Sequence, residues 1–348
     1  MPHSSFFGIN GFGRIGRTAF RVWWQYHRDK LSLALVNTSG SMDIEDWVHL
    51  LRFDSNYGVF NHPIKVTSLQ KKEAVTDDNP VLGELEIGNN KIVVTAQRDP
   101  KKIPWKKYQV KTVLESTGAF TKVEKANWHL EAGAQKVIIS APAKGSGAQT
   151  VVLGVNQQEG NSSIISNASC TTNCVAPVTQ VIDEKFGILK AMMTTVHSYT
   201  DDQNVQDNSH KKDLRRARAA AENIIPTSTG AATATTLIIP KLKGKFDGLA
   251  IRVPTPVGSL SDMTFLLAKN VTVEEVNQAL IEACSLPRYQ GIMVATSYPI
   301  VSSDVIGRRE SSIIDLSLTN VIDGNLLKVI SWYDNEWGYC NRLVEQLL

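Results

Sequence analysis

Three glycines constrain the start of this chain more than any other feature. Gly11, Gly13 and Gly16 stand in G-x-G-x-x-G spacing. They fall between a β-rich run, SFFGIN (5–10), and a stretch over 14–28 whose pattern predicts a helix. In that setting each glycine has a mechanical job. The first permits a tight turn, the second lets backbone approach a pyrophosphate, and the third lets helix and strand pack closely. N–H groups at the helix start would then face phosphate. The expectation is a strand–loop–helix unit that holds a dinucleotide, with a purely structural glycine turn as the alternative.

Such a loop is usually followed, about twenty residues on, by an Asp or Glu that grips the adenosine ribose. Here LALVNTSGS (33–41) ends in Asn37-Thr38-Ser39-Gly40-Ser41, with no acid at its tip. Either the glycine loop misleads, or the cofactor carries a group that an acid would repel.

The first half alternates β-rich and amphipathic segments. LSLALVN (31–37), KIVVTA (91–96), VKTVLEST (110–117) and KVIIS (136–140) read as buried strands. DIEDWVHLLRF (43–53) and KVEKANWHLEAG (122–133) read as helices, the second capped by Gly133. This alternation predicts a mostly parallel sheet with helices on both faces. After a helix beginning near Cys170, long strand-like runs at 189–196, 246–253, 259–268, 312–319 and 326–333 follow one another. Helices are expected only near 230–240 and 273–287, the latter with a Thr272/Glu275 capping box. Strands joined directly to strands predict an antiparallel sheet backed by helices, with the domain boundary near 168.

Composition narrows the function classes. A length of 348 residues allows two domains, and a net charge of +3 is too small to suggest nucleic acid. No apolar run approaches the roughly 18–20 residues of a membrane span. The opening MPHSSFFGING leaves no room for a secretory leader, and four cysteines are too few for a disulfide scaffold. A cytoplasmic, reduced protein is expected.

SNASCTTNC (166–174) carries the chemistry. Cys170 sits where strand gives way to helix, so the positive end of the helix dipole would favour its thiolate. His197, ending AMMTTVH, could pair with the thiolate or accept its proton. The bland alternative is an inert thiol and a core histidine. Cys174 at i+4 raises a redox or metal pair, but no further ligands stand nearby, so no metal is expected. HKKDLRRARAA (210–220) reads either as a solvated helix face or, with Thr200, Thr229, Gly230 and Arg252, as a source of phosphate-binding donors.

The chain resembles the phosphorylating glyceraldehyde-3-phosphate dehydrogenase family over nearly its whole length. GINGFGRIGR, HLLRFDSNYG, ESTGAF, SAPAKG, SNASCTTNC, TTVHSYT, DLRRARAAAENIIPTSTGAA, RVPTP and SWYDNEWGY carry the resemblance. It implies an α/β Rossmann domain with a doubly wound parallel sheet over 1–168, completed by a terminal helix at 336–348. An α+β catalytic domain with a mostly antiparallel sheet would span 169–335. Cys170 would attack glyceraldehyde 3-phosphate to give a thiohemiacetal, and its N–H would serve as an oxyanion donor. His197 would act as base, and inorganic phosphate would cleave the resulting thioester. Thr200 and Arg252 would hold the substrate phosphate. Ser169, Thr171, Arg216, Thr229 and Gly230 would hold the attacking one. Gly11, Gly13, Arg14, Ile15, Gly16, Asn37, Thr38, Ser39, Arg98, Ser116, Thr117 and Gly118 are placed at the cofactor. Asn335 would orient its carboxamide, with Tyr339 near the same ring. The resemblance also implies a homotetramer in which 198–224 reaches a neighbour's cofactor, with neither nucleic acid nor membrane required.

Departures from the family pattern bear on the cofactor. NAD-using members carry an Asp where Thr38 stands and often Leu-Pro where this chain has Asn208-Ser209. A 2′-phosphate would be repelled by that Asp and accommodated by the hydroxyls of Thr38, Ser39 and Ser41. No Lys or Arg occurs in 37–46, and Asp43 lies close by. The expectation is therefore NADP-preferring or dual NAD/NADP use. Two rivals stand beside this reading: an erythrose-4-phosphate dehydrogenase, and a nucleotide- or RNA-binding protein without catalysis.

Overall fold

The computed structural model describes residues 6–157, 160 and 162–348; Ser5, the first residue of the expected opening strand, lies outside them. The chain divides into two compact units. One comprises Met1–Val151, Gln158–Asn167 and Cys340–Leu348, the other Val152–Gln157 and Ala168–Tyr339.

Among the described residues the first unit has eleven strands, nine in the main sheet and two in a small separate ribbon: β1 (Phe6–Asn10), β2 (Ser32–Asn37), the ribbon strands β3 (Phe53–Asp54) and β4 (Gly58–Val59), then β5 (Ile64–Ser68), β6 (Val81–Ile87), β7 (Asn90–Thr95), β8 (Val110–Glu115), β9 (Lys136–Ile139), β10 (Gln149–Thr150) and β11 (Ile164–Ser166). The main sheet runs β10-β11-β9-β8-β1-β2-β7-β6-β5. It is parallel from β10 to β7 and antiparallel across β7, β6 and β5. Its central strands are buried nearly throughout, as expected where helices cover both faces. Helices α1 (Arg14–Val22), α2 (Ile44–Arg52) and α3 (Val123–Glu131) belong to this unit. The helix expected over 14–28 is α1 continued by a widened π turn, Trp23–His27. Strand order reverses at β1, which pairs with β2 on one side and β8 on the other, so a crevice opens at their carboxyl ends.

The second unit carries α4 (Cys170–Phe186), β12 (Ile188–Ser198), β13 (Ile225–Ser228), α5 (Ala231–Ile238), β14 (Phe246–Val253), β15 (Ser259–Leu267), α6 (Val273–Cys284), β16 (Met293–Thr296), β17 (Ser312–Ile322), β18 (Leu326–Tyr333) and the start of α7 (Trp337–Glu345). The sheet runs β13-β14-β12-β15-β18-β17-β16. It is mostly antiparallel, with parallel pairs at β12/β14 and β16/β17. Strict alternation of burial along β15 shows one face turned inward. Val175, Val178 and Ile182 of α4 and Val276 and Leu280 of α6 pack there on Met193, Phe265 and Leu327. Thr272 and Glu275 form the capping box expected for α6. The basic run 210–220 is not helical; it is a series of turns and bends.

Candidate functional sites

At the β1/β8 crevice a cleft of about 510 Å³ is lined by Gly11, Gly13, Asn37, Thr38, Ser39, Arg98, Ser116 and Thr117, together with Asn10, Phe12, Trp47, Gln97 and Phe120. The glycines divide their work. Gly11 has φ +94°, and a Cβ on Gly16 would lie 2.0 Å from the Gly11 carbonyl oxygen, so helix and turn touch directly. A Cβ on Gly13 would meet nothing within 4 Å, so the helix start is open to an approaching group. No side chain caps α1, and no acid stands in its first turn. An open, uncapped helix start suits a pyrophosphate.

Polar groups beneath this loop are already bonded among themselves. Asn37 donates to Asn10 Oδ1 and to the Gln97 carbonyl, each at 2.8 Å, and accepts from Thr95 and from the Gln97 N–H. Its amide is therefore saturated, and Asn37 shapes the cleft rather than offering a free donor. Ser116 donates to the Gly11 carbonyl at 2.8 Å, tying β8's end to the turn. Arg14 turns to Asp54 at 2.6 Å, and Ile15 accepts from the Cys340 thiol. Gly118 is exposed with φ +72°.

Thr38 behaves differently from expectation. Its hydroxyl donates to the Thr95 carbonyl at 3.1 Å and the residue is 2% exposed, so its hydrogen is spent inside the fold. Ser39 and Ser41 face each other at 2.9 Å on the surface, and Arg98 Nε donates to the Ser39 carbonyl. Lys72, distant in sequence, donates to the Ser41 carbonyl at 3.3 Å. Asp43 is tied to Lys71 at 3.2 Å and accepts from the Lys72 N–H. Lys71 and Lys72 are cations that the sequence reading missed, because Lys72 stands 29 residues from Asp43 and 31 from Ser41, with α2 and the β3/β4 ribbon between them.

In the second unit Cys170 is the first residue of α4. Ser169 caps that helix, its hydroxyl accepting from Thr172 N–H at 3.1 Å. Ala168, just before it, is held at φ +55°, a conformation costly for a non-glycine residue, and Tyr339 donates to its carbonyl at 3.1 Å. Cys170 Sγ lies 3.4 Å from His197 Nε2. His197 Nδ1 meets the Ser198 carbonyl at 2.6 Å, so Nδ1 carries hydrogen and Nε2 is free to accept. Burial, reinforced by the Arg252 charge, pulls His197 down from 6.5 to about 3. Burial pushes the Cys170 thiol up, opposed by the Arg252 charge and by the Thr171 backbone N–H. Both directions favour the neutral pair, thiol beside unprotonated imidazole, with the proton moving when sulfur attacks.

Around this pair stand the anion-binding candidates. Arg252 donates to Thr200 Oγ1 at 2.8 Å and to the Ser198 carbonyl at 3.1 Å, and its buried Nε has no partner. Asp202 accepts from both Thr200 and Arg216, a bridging role the sequence did not reveal. Arg216 also donates to Thr227 at 3.0 Å. Thr229 precedes α5 and accepts from the Ala231 N–H, while Gly230 is open above the helix start. Thr171 lies inside instead: it, Tyr333 and Thr195 form a buried hydroxyl chain with 2.8 Å steps, ending at the Leu260 carbonyl. Because Thr195 gives its hydrogen to Leu260, the chain commits the Thr171 hydroxyl hydrogen to Tyr333, leaving its backbone N–H at the helix start. Asn335 Oδ1 accepts from Gly258 N–H and Ser259 Oγ, both at 3.1 Å. Ser209 is exposed on the 198–224 segment.

Cys174 is fully buried, and burial raises its thiol to about 12. Among the described residues no group of three or more His, Cys, Asp or Glu could hold a metal, and no helix is long and apolar enough to cross a membrane.

Comparison with known proteins accords with this arrangement. Residues 6–123 match the family model described as glyceraldehyde 3-phosphate dehydrogenase, NAD binding domain, and 169–335 match its C-terminal domain. The chain is 49% identical to glyceraldehyde-3-phosphate dehydrogenases of Mycobacterium avium, Streptomyces coelicolor and Geobacillus stearothermophilus. Each of these alignments covers 97% of this chain and 96% of the relative.

Proposed function

Because the chain belongs to the glyceraldehyde-3-phosphate dehydrogenase family, we propose that it converts D-glyceraldehyde 3-phosphate and inorganic phosphate reversibly to 1,3-bisphosphoglycerate, using NADP in preference to, or alongside, NAD. The 3.4 Å pairing of Cys170 with a neutral His197 at the start of α4 carries this reading. Cys170 sulfur adds to the aldehyde carbon while its proton passes to His197 Nε2 and on to the new oxyanion, giving a thiohemiacetal. His197 then takes the hydroxyl proton back as the carbon is oxidised to the thioester. The nicotinamide cofactor, when bound, supplies the hydride acceptor. Phosphate held by Ser169, Arg216, Thr229 and Gly230 displaces the Cys170 thiolate, and Arg252 and Thr200 hold the substrate's own phosphate. Asp202 gives up its place between Thr200 and Arg216 when those anions enter. The exposed apolar side chains Val205, Leu214 and Ile224 support assembly as a tetramer through the 198–224 segment.

The 2′-phosphate reading rests on charge. Thr38 contributes by being neutral, while Ser39, Arg98 and Lys72 supply donors and positive charge. An aspartate at 38 would face the phosphate, and a unit-charge pair near 4 Å is worth about 4 kcal/mol at an effective dielectric of 20 before salt screening. In Thr38→Asp, kcat/KM with NADP⁺ should fall about a hundredfold while that with NAD⁺ holds or rises. A wild-type enzyme that strongly prefers NAD⁺ would overturn the NADP reading.

A further inference from the structure

Glu115 and His129 lie beneath the first-unit cleft, 1% and 0% exposed, and take no part in the reaction described above. Glu115 is the last residue of β8, and it accepts from both sides. Oε1 receives the Thr117 N–H at 2.8 Å and the Thr117 hydroxyl. Oε2 receives the Asn10 amide at 2.6 Å and faces His129 Nε2 at 2.9 Å. The ring's other nitrogen settles which tautomer is present. Trp105 Nε1, which can only donate, lies 3.1 Å from His129 Nδ1. Nδ1 must accept, so Nε2 carries the hydrogen and gives it to Glu115, and the imidazole is neutral. Four donors thus converge on one buried carboxylate.

Three of those donors come from two residues of the cleft wall, Asn10 and Thr117. The carboxylate forces the Asn10 amide nitrogen downward, which leaves Asn10 Oδ1 facing Asn37, the bond that sets the orientation of the Asn37 amide in turn. The order of donors across the ends of β8, β1 and β2 therefore traces back to one charge. We propose that Glu115, oriented by neutral His129, is a positioning residue for cofactor binding, holding Asn10 and Thr117 in the geometry the dinucleotide meets. This inference rests on the cofactor reading of the cleft.

Charge is the property on which it turns, because a glutamine at 115 has the same shape but must present an NH2 to groups that only donate there. Those are Thr117 on one side and Asn10 with His129 on the other. Glu115→Gln should raise KM for NADP⁺ and for NAD⁺ about tenfold, with kcat at saturating cofactor close to wild type. At position 129 a glutamine can copy both roles of the ring, one donor and one acceptor, whereas leucine copies neither. His129→Gln should therefore restore near-wild-type KM, while His129→Leu follows Glu115→Gln. These paired variants keep the test decisive if Glu115→Gln fails to fold. An unchanged KM in a folded Glu115→Gln, or His129→Gln as impaired as His129→Leu, would overturn the proposal, since packing alone would then explain the cluster. Titration calorimetry of the wild type with NADP⁺ and NAD⁺ separates the two levels. Absence of binding there would overturn the cofactor reading itself, whereas wild-type binding matched by all variants would overturn only the role of Glu115.

Discussion

His197 makes two bonds that assign its nitrogens different work: Nδ1 is fixed on the Ser198 carbonyl and Nε2 is turned to the thiol of Cys170. Its burial also leaves a signature in stability. The ring's pKa falls from 6.5 in the open chain to about 3 in the fold, so below pH 6.5 the unfolded chain takes up a proton that the folded one refuses. Stability present above pH 6.5 is then lost as pH falls toward 3, at up to about 1.4 kcal/mol per pH unit. His197→Asn should remove this share of the acid destabilisation, read as a smaller drop in the urea midpoint between pH 7 and pH 4.5. An acid drop equal to wild type would show that His197 is not held neutral. Cys170 was a candidate because it opens a predicted helix between small polar residues, with an inert thiol as the alternative, and the structure brings His197 Nε2 to 3.4 Å from its sulfur. Thr38 was legible as a missing acid but not as a spent donor, since its hydrogen goes to Thr95, 57 residues away in sequence.

At the scale of elements, the glycine loop and α1 make a paired test of mechanics against binding. Gly13 has negative φ and open space where a Cβ would stand, whereas a Cβ on Gly16 would collide with the Gly11 carbonyl. Gly13→Ala should fold with the wild-type unfolding midpoint yet lose cofactor affinity about tenfold or more, because its methyl occupies the phosphate's approach. Gly16→Ala should lose stability by several kcal/mol, about the range of severe packing defects, because backbone must move to admit it. Equal effects of the two on folding would contradict this division. Central strands β1, β2, β8 and β9 were readable because burial on both faces makes them continuous apolar runs. Strand β5 (IKVTS), half exposed, and the short edge strands β13 (IPTS) and β16 (MVAT) were not, because four or five residues are too short for alternation or an apolar run to stand out. The run 210–220 reads either as a solvated helix face or as a source of phosphate-binding donors; it is not helical, and its arginines and Asp213 are engaged in turns and ion pairs, Arg216 with Asp202 and Asp213 and Arg218 with Asp207.

At the scale of the whole molecule, the division of labour follows from two sheets of different kinds. A parallel sheet whose strand order reverses at β1 offers a crevice with a helix start beside it, and an antiparallel-rich sheet braces α4 so that Cys170 emerges at its first turn. Alternation of strands and helices in the first half, and its breakdown after 170, made this architecture legible. The contribution of Cys340–Leu348 to the first unit comes from the chain's far end, a return that local patterns do not encode. Oxidation and phosphorylation are joined on this account by one covalent acyl group on Cys170. The measurement that tests it most directly is rapid mixing of the protein with glyceraldehyde 3-phosphate and NADP⁺ in the absence of inorganic phosphate. The account predicts a burst of about one reduced cofactor per Cys170, then near-arrest, with turnover resuming when phosphate is added and acyl phosphate appearing as product. Steady turnover to the free acid without phosphate, or an undiminished burst in Cys170→Ser, would contradict it.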